Sequence, residues 1–169
     1  MGLFQPFGRA YFGVRKGTLM RILVGADYRG FELKKQLLRF LAAREGDEIV
    51  DVGAYQYNEG DDFNDPAATV ALAVRGTPGS FGILICDSAH GVTMQANRFK
   101  GVRAAHCSSV ESAKLAREHD DANVLCLSAH FVDENLMKDI VNTFLDTKFS
   151  SLERRVRRIN RLDEREDYD

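Results

Sequence analysis

Five times along this chain, a short apolar run suited to a buried strand is followed by turn residues and then by a segment with helical spacing. Residues 21–26 (RILVGA) lead into 31–44, where Phe31, Leu37, Leu38 and Leu41 share one face. Residues 48–52 lead, through a loop rich in Tyr, Asp and Gly, to a helix from Pro66 to about Arg75, which Asp65 is placed to cap. Residues 81–85 (FGILI) precede a loop and a short helix over 92–98. Residues 101–105 precede a helix that Ser108 or Ser109 caps and that runs to about Glu118. Residues 123–127 precede an amphipathic helix over 133–145, and a last helix spans 150–162. Alternation of this kind prescribes an α/β domain: a three-layer α/β/α sandwich on a Rossmann-like, five-stranded parallel sheet. Such sheets bind ligands outside the carboxyl ends of their strands. The suspects are therefore 27–30, 86–91 and the segments after the fourth and fifth strands.

At 169 residues the chain is about one domain long, and 44% hydrophobic with 28% charged residues is an ordinary globular mixture. A net charge of −2 argues against bulk binding to nucleic acid or to a membrane surface. No apolar run reaches the roughly 18 residues of a membrane span. Residues 1–19 carry Arg9, Arg15 and Lys16 among four aromatics and no acid. They lack the apolar core of a secretory leader. They read as a flexible extension before a single domain over 20–162, with an acidic tail at 163–169, and a cytoplasmic location is expected. The three cysteines are odd in number and without a CxxC pair, so neither a disulfide scaffold nor a zinc site is expected. Cys107 and Cys126 lie in apolar or small-residue runs and read as core.

Three groups could carry chemistry. Cys86 sits where the third strand gives way to the loop Asp87-Ser88-Ala89-His90-Gly91 and a helix start. There the helix dipole favours a thiolate and the loop amides could hold an anion. A buried strand-end cysteine is the alternative. His119, between a helix end and a strand, suits acid–base work or a solvated surface. Arg154 and Arg158 are i and i+4, so two guanidinium forks project together, as a phosphate needs or as a basic face shows.

At these residues the chain resembles the family of type B ribose-5-phosphate isomerases and galactose-6-phosphate isomerases. The phrases RILVGADYRGFELK, ILICDSAHG, ANRFKGVRAA, SAKLAREHDDANVL, VNTFLDTKF and RRVRRI carry the resemblance, from about Met20 to Arg161. It implies a metal-free, cofactor-free aldose–ketose isomerisation of a sugar phosphate through an enediolate. Cys86 matches the base, Ser88 the residue beside it, and His119 the ring-opening histidine. Asp27 matches a sugar-hydroxyl ligand, the amides through Gly91 the anion-holding loop, and Arg154 and Arg158 the phosphate grip. The resemblance also implies self-association as a homodimer or tetramer with shared sites.

Several positions depart from the family pattern. Asp87 and Ala89 stand where glycines are usual, Tyr28 where a histidine is, His130 where many members have an arginine, and Asp120 where an asparagine is usual; His90 is an added titratable group. These positions touch the substrate grip. Ribose 5-phosphate is the default substrate, with galactose or allose 6-phosphate, a tetrose phosphate, or binding without catalysis as alternatives. Asp87 beside Cys86 is expected to raise the thiol pKa unless its side chain points away.

Overall fold

The computed structural model describes residues 10–11 and 20–164. In chain order its elements are β1 (Ala10–Tyr11), β2 (Arg21–Ala26), α1 (Phe31–Ala42), β3 (Glu48–Asp51), α2 (Asn64–Gly76), β4 (Phe81–Cys86), α3 (His90–Ala96), β5 (Ala104–His106), α4 (Val110–Asp120), β6 (Val124–Ser128), α5 (Glu134–Asp146) and α6 (Glu153–Asp163). Strands β3-β2-β4-β6-β5 form the expected parallel sheet. A sixth strand is added: β1 pairs antiparallel with β3, Ala10 opposite Val50 and Tyr11 opposite Ile49. The rest of the expected extension lies outside the described residues. Asp163, expected to open the acidic tail, ends α6 and accepts Arg103 at 3.0 Å. Residues 165–169 lie outside the described residues.

The period-two pattern of the strands explains the layers. Ile22, Val24 and Ala26 of β2, Ile83 and Ile85 of β4, and Leu125 and Leu127 of β6 face one side, against Leu37 and Leu41 of α1, Ala113 of α4 and Ile140 and Phe144 of α5. The alternate residues Leu23, Leu84, Cys86, Val124 and Cys126 face the other, against Val70 of α2 and Val92 and Ala96 of α3. Two helix starts differ from expectation. Asp65 lies inside the first turn of α2, with Phe63 at the cap position, so its charge serves the helix dipole rather than capping a backbone amide. Helix α3 begins at His90 rather than Val92. Helix α4 starts as a capping box, in which Ser109 Oγ accepts the Ser112 amide and the Ser112 side chain answers.

One buried cation fixes the loop beside the future site. Lys34 is 1% exposed and its Nζ donates to Asp51 Oδ1 at 2.7 Å and to the Ala54 carbonyl. Asp51 also accepts the Gly53 amide, while Ala26 and residues 53–54 exchange backbone bonds at 2.9 and 3.0 Å. The loop after β3 is thereby tied to the end of β2. Burial pushes the Lys34 amine below its usual value, and Asp51 opposes that shift. Lys34→Met leaves the Asp51 carboxylate without its cation. We expect a loss of about 3–5 kcal/mol, read as a lower denaturant midpoint at unchanged slope.

Candidate active site

Sheet order selects the place. From β2 the chain steps outward to β3, then crosses to β4 on the other side of β2, so the carboxyl ends of β2 and β4 flank the switch point. Asp27 follows β2 and Cys86 ends β4. Their main chains touch: Asp27 N–H donates to the Ile85 carbonyl at 3.3 Å, and a Cβ at Gly30 would collide with that same carbonyl. Asp27 is 6% exposed and accepts the Gly30 amide at 2.9 Å. Burial nevertheless raises its carboxyl above the usual 3.8. A raised acid binds its proton more tightly in the folded state, so its stability contribution is complete below pH 3.8 and is lost as pH climbs through the folded value. Asp27→Asn is therefore expected to melt higher than the parent at neutral pH, with the gain vanishing in acid; matched thermal scans across pH check this.

Cys86 is 5% exposed and points toward the α2–α3 layer. The Ala89 amide donates to its Sγ at 3.1 Å. Ala89 achieves this with φ of 67°, a left-handed conformation for which glycine is the easier residue. The expectation of a lowered thiol pKa is corrected. Burial pushes the thiol above 9.0, the amides of Val92, Ala89 and Ser88 pull it back, and the Asp27 charge raises it further. The Asp87 side chain turns outward, with Oδ1 3.9 Å from His130 Nδ1. By contrast, burial pushes the core thiols Cys107 and Cys126 up to about 11 and about 12.

The rest of the loop is ordered by local bonds. Ser88 Oγ accepts the His90 amide at 3.4 Å. At Gly91 a Cβ would lie 2.8 Å from the Phe63 ring, so the loop after β3 closes that side. Tyr57 of the same loop meets Tyr28 edge to face at 6.0 Å, and the Arg29 guanidinium lies 5.2 Å over the Tyr28 ring. After β6, the Ala129 amide donates to the Cys86 carbonyl, and both the His130 amide and the Ser128 hydroxyl donate to the Asp87 carbonyl. Thus Asp27, Tyr28, Cys86, Asp87, Ser88, Ala89, Gly91 and His130 gather at one end of the sheet. His90 heads α3 but its ring packs on His106 at 5.4 Å, beside a 440 Å³ cavity also lined by Thr93, Met94, Asn97 and Arg98.

The remaining residues lie elsewhere. His119 and Asp120 end α4, which returns from the carboxyl end of β5 to the amino end of β6. A six-residue strand such as β4 spans about 20 Å, so His119 and Cys86 lie a strand length apart within one chain. Helix α6 stands at that far end too. Its Arg155, which spacing alone did not single out, is the buried arginine of the run and bonds the Glu118 carbonyl and carboxylate, each at 3.2 Å, and Ser150 Oγ at 2.6 Å. Arg155 and Ile159 anchor the helix, leaving Arg154 and Arg158 exposed. The i and i+4 pairing of Arg155 with Ile159 is the sequence signal that could have separated anchor from grip. Phe63 carried no such signal, because nothing in its loop's composition names Gly91 as its contact.

The chain matches the model of the Ribose/Galactose Isomerase family over residues 22–162. It belongs to that family. The probable ribose-5-phosphate isomerase B of Mycoplasma pneumoniae is 41% identical over 130 residues, covering 76% of this chain and 84% of that one. The ribose-5-phosphate isomerase B of Escherichia coli is 37% identical over 149 residues, covering 87% and 99%. Among solved structures, ribose-5-phosphate isomerase B from Mycoplasma genitalium with bound ribulose 5-phosphate matches with a TM-score of 0.81 at 39% identity, over 85% of this chain and 94% of that one. The Trypanosoma brucei type B enzyme gives 0.81 at 33% identity, over 86% and 98%. The matched family span contains both the Cys86 group and the His119–Arg158 group. Among the described residues, no three or more His, Cys, Asp or Glu cluster as a metal site would require, and no helix is long and apolar enough to cross a membrane.

Proposed function

We propose that this chain interconverts ribose 5-phosphate and ribulose 5-phosphate, with Cys86 as the base that moves a proton between C2 and C1. The observation that carries this reading is the position of Cys86: buried at the switch point, with the Ala89 amide on its sulfur and the Asp27 charge acting on it. Water exclusion protects an enediolate from side reactions, and the amides through Gly91 offer donors to the charge that develops on oxygen. Asp27 accepts a sugar hydroxyl. Direct assay of ribose 5-phosphate conversion by the purified chain tests the reading, and absence of ketose from four-, five- and six-carbon sugar phosphates alike sinks it.

The two groups of site residues at opposite ends of one sheet fit a site shared between two copies, in which each contributes its Cys86 loop to one site and its His119 and α6 to the other. A two-fold pair builds two such sites at once. Exposed apolar side chains on the elements that would meet the second copy support this: Met94 on α3, Val110 and Leu115 on α4, Leu162 on α6. In that arrangement Arg154 and Arg158 take the phosphate. Arg154→Ala is expected to raise KM for ribose 5-phosphate about 5- to 150-fold, the worth of a charged hydrogen bond of about 1–3 kcal/mol, with a much smaller change in kcat. Steady-state kinetics check this, and an equal rise for an unphosphorylated pentose would assign the arginine a structural role.

A further inference from the structure

A network of charges at the far end of the sheet has no part in the chemistry described above. The chain leaves α4 through Asp121, whose left-handed φ of 47° turns it back toward β6, and the Ala122 amide closes the turn on the Ala116 carbonyl at 3.0 Å. His119 and Asp120 are the last two residues before that turn. The Asp121 carboxylate is divided between two arginines: Oδ1 accepts Arg117 Nη1 and Oδ2 accepts Arg103 Nη2, each at 2.8 Å. Both arginines also hold the main chain there. Arg103 Nε donates to the Asp121 carbonyl at 3.0 Å, and Arg117 Nη1 donates to that of Ala122 at 2.7 Å. Arg117 is 7% exposed and its guanidinium lies 4.8 Å from the centre of the Phe81 ring, so this side of the network is fixed in the core. The third nitrogen of the Arg103 fork, Nη1, reaches away from the turn to Asp163 Oδ2 at 3.0 Å, on the last residue of α6. Near the start of the same helix Arg155 bonds the carbonyl and carboxylate of Glu118. Helix α6 is thus pinned toward both ends to the stretch 118–121, directly at Glu118 and through Arg103 at Asp121. Arg154 and Arg158 stand exposed on the pinned helix.

We propose that Asp121 and Asp163 are positioning residues of the isomerisation: bridged by Arg103, they hold the turn that carries His119 and the helix that carries Arg154 and Arg158 as one unit, and so set the separation of the ring-opening imidazole from the phosphate grip. The inference rests on the isomerase reading above. Neither carboxylate touches the sugar; both act through the main chain they hold. Arginine suits the bridge because its planar fork presents several donors at fixed angles, enough for two carboxylates and a carbonyl at once, whereas lysine offers a single ammonium. Such bracing matters to rate, since a misplacement of about 1 Å in a positioned group costs about 100-fold.

The experiment compares wild type with Asp163→Asn, Asp163→Glu and Asp121→Asn, assayed well below the melting midpoint of each after circular dichroism confirms the fold. Asparagine also accepts a left-handed φ, so Asp121→Asn removes the shared charge without straining the turn. Asp163→Asn frees only the end of α6. Its KM for ribose 5-phosphate and its inhibition constant for inorganic phosphate should both rise about fivefold or more, with kcat within about twofold of wild type. Asp163→Glu keeps the carboxylate and should bring both constants back to within about twofold. Asp121→Asn releases the His119 turn as well, so its kcat should also fall, by about tenfold or more. Wild-type constants in folded Asp163→Asn, a loss that the glutamate does not repair, or an unchanged kcat in folded Asp121→Asn overturns the proposal and leaves the network a purely stabilising one. Should Asp121→Asn fail to fold, the two Asp163 variants decide alone. A wild-type chain inactive on every sugar phosphate overturns the parent reading instead, a result that the variants cannot mimic.

Discussion

Cys86→Ala is expected to lower kcat/KM for ribose 5-phosphate by about 10³-fold or more while leaving the melting temperature close to the parent's. A positioned general base is worth about 10²–10⁴ in rate, and none of the other groups at this end of the sheet is a substitute for it. The fold should tolerate the change, because Sγ is met by amides of its own loop and helix start, that of Ala89 at 3.1 Å, and the lost volume is about one sulfur atom. The pH profile provides a finer check. With the free thiol held above 9.0, the active thiolate grows as pH rises, so kcat/KM should climb on the alkaline side. Asp27→Asn removes a charge that raises this thiol, so that rising limb should move to lower pH even though overall activity falls with the lost hydroxyl contact. A flat profile between neutral and alkaline pH, or a Cys86→Ala chain that turns over normally, would remove Cys86 from the mechanism.

Two dead variants should make a live enzyme. Cys86→Ser and His119→Asn chains are each expected to be inactive alone. Co-expressed or co-refolded in equal amounts, they should recover about a quarter of wild-type activity. In the proposed two-fold pair, random pairing makes half the dimers mixed, and each mixed dimer has one site with an intact Cys86 from one chain and an intact His119 from the other. A mixture that stays silent, with mixed dimers present, would place the whole site in one chain. The strand-length separation of the two residues makes that second result incompatible with both acting on one sugar.

Much of the architecture was legible because each strand is a short apolar run and each helix carries its own face. The site was legible in parts. Cys86 and Asp27 are readable as strand-end residues from the alternation, whereas the strand order that puts these two ends at the switch point is a tertiary fact. The i and i+4 arginines are readable from helical geometry. The sign of the Cys86 shift was not readable, because it is set by burial under the α2–α3 layer, which outweighs the loop amides, and burial is a tertiary quantity. Nor did spacing show that Asp87 would turn toward His130, since that depends on how the turn after β6 hangs on the carbonyls of residues 86 and 87. The capping role assigned to Asp65 failed because α2 begins before Pro66, at Asn64.

The contact between Gly30 and the Ile85 carbonyl has an evolutionary corollary. It fixes the spacing of Asp27 and Cys86 through main chain to main chain, so no side chain at the rim is needed to keep the proposed hydroxyl ligand and the proposed base in register. Tyr28, Asp87 and His130 project from the same rim without supporting that contact, and they are among the places where this chain departs from its family's pattern. A lineage built this way can exchange rim residues, and with them the sugars it prefers, one at a time, without first having to rebuild the catalytic step.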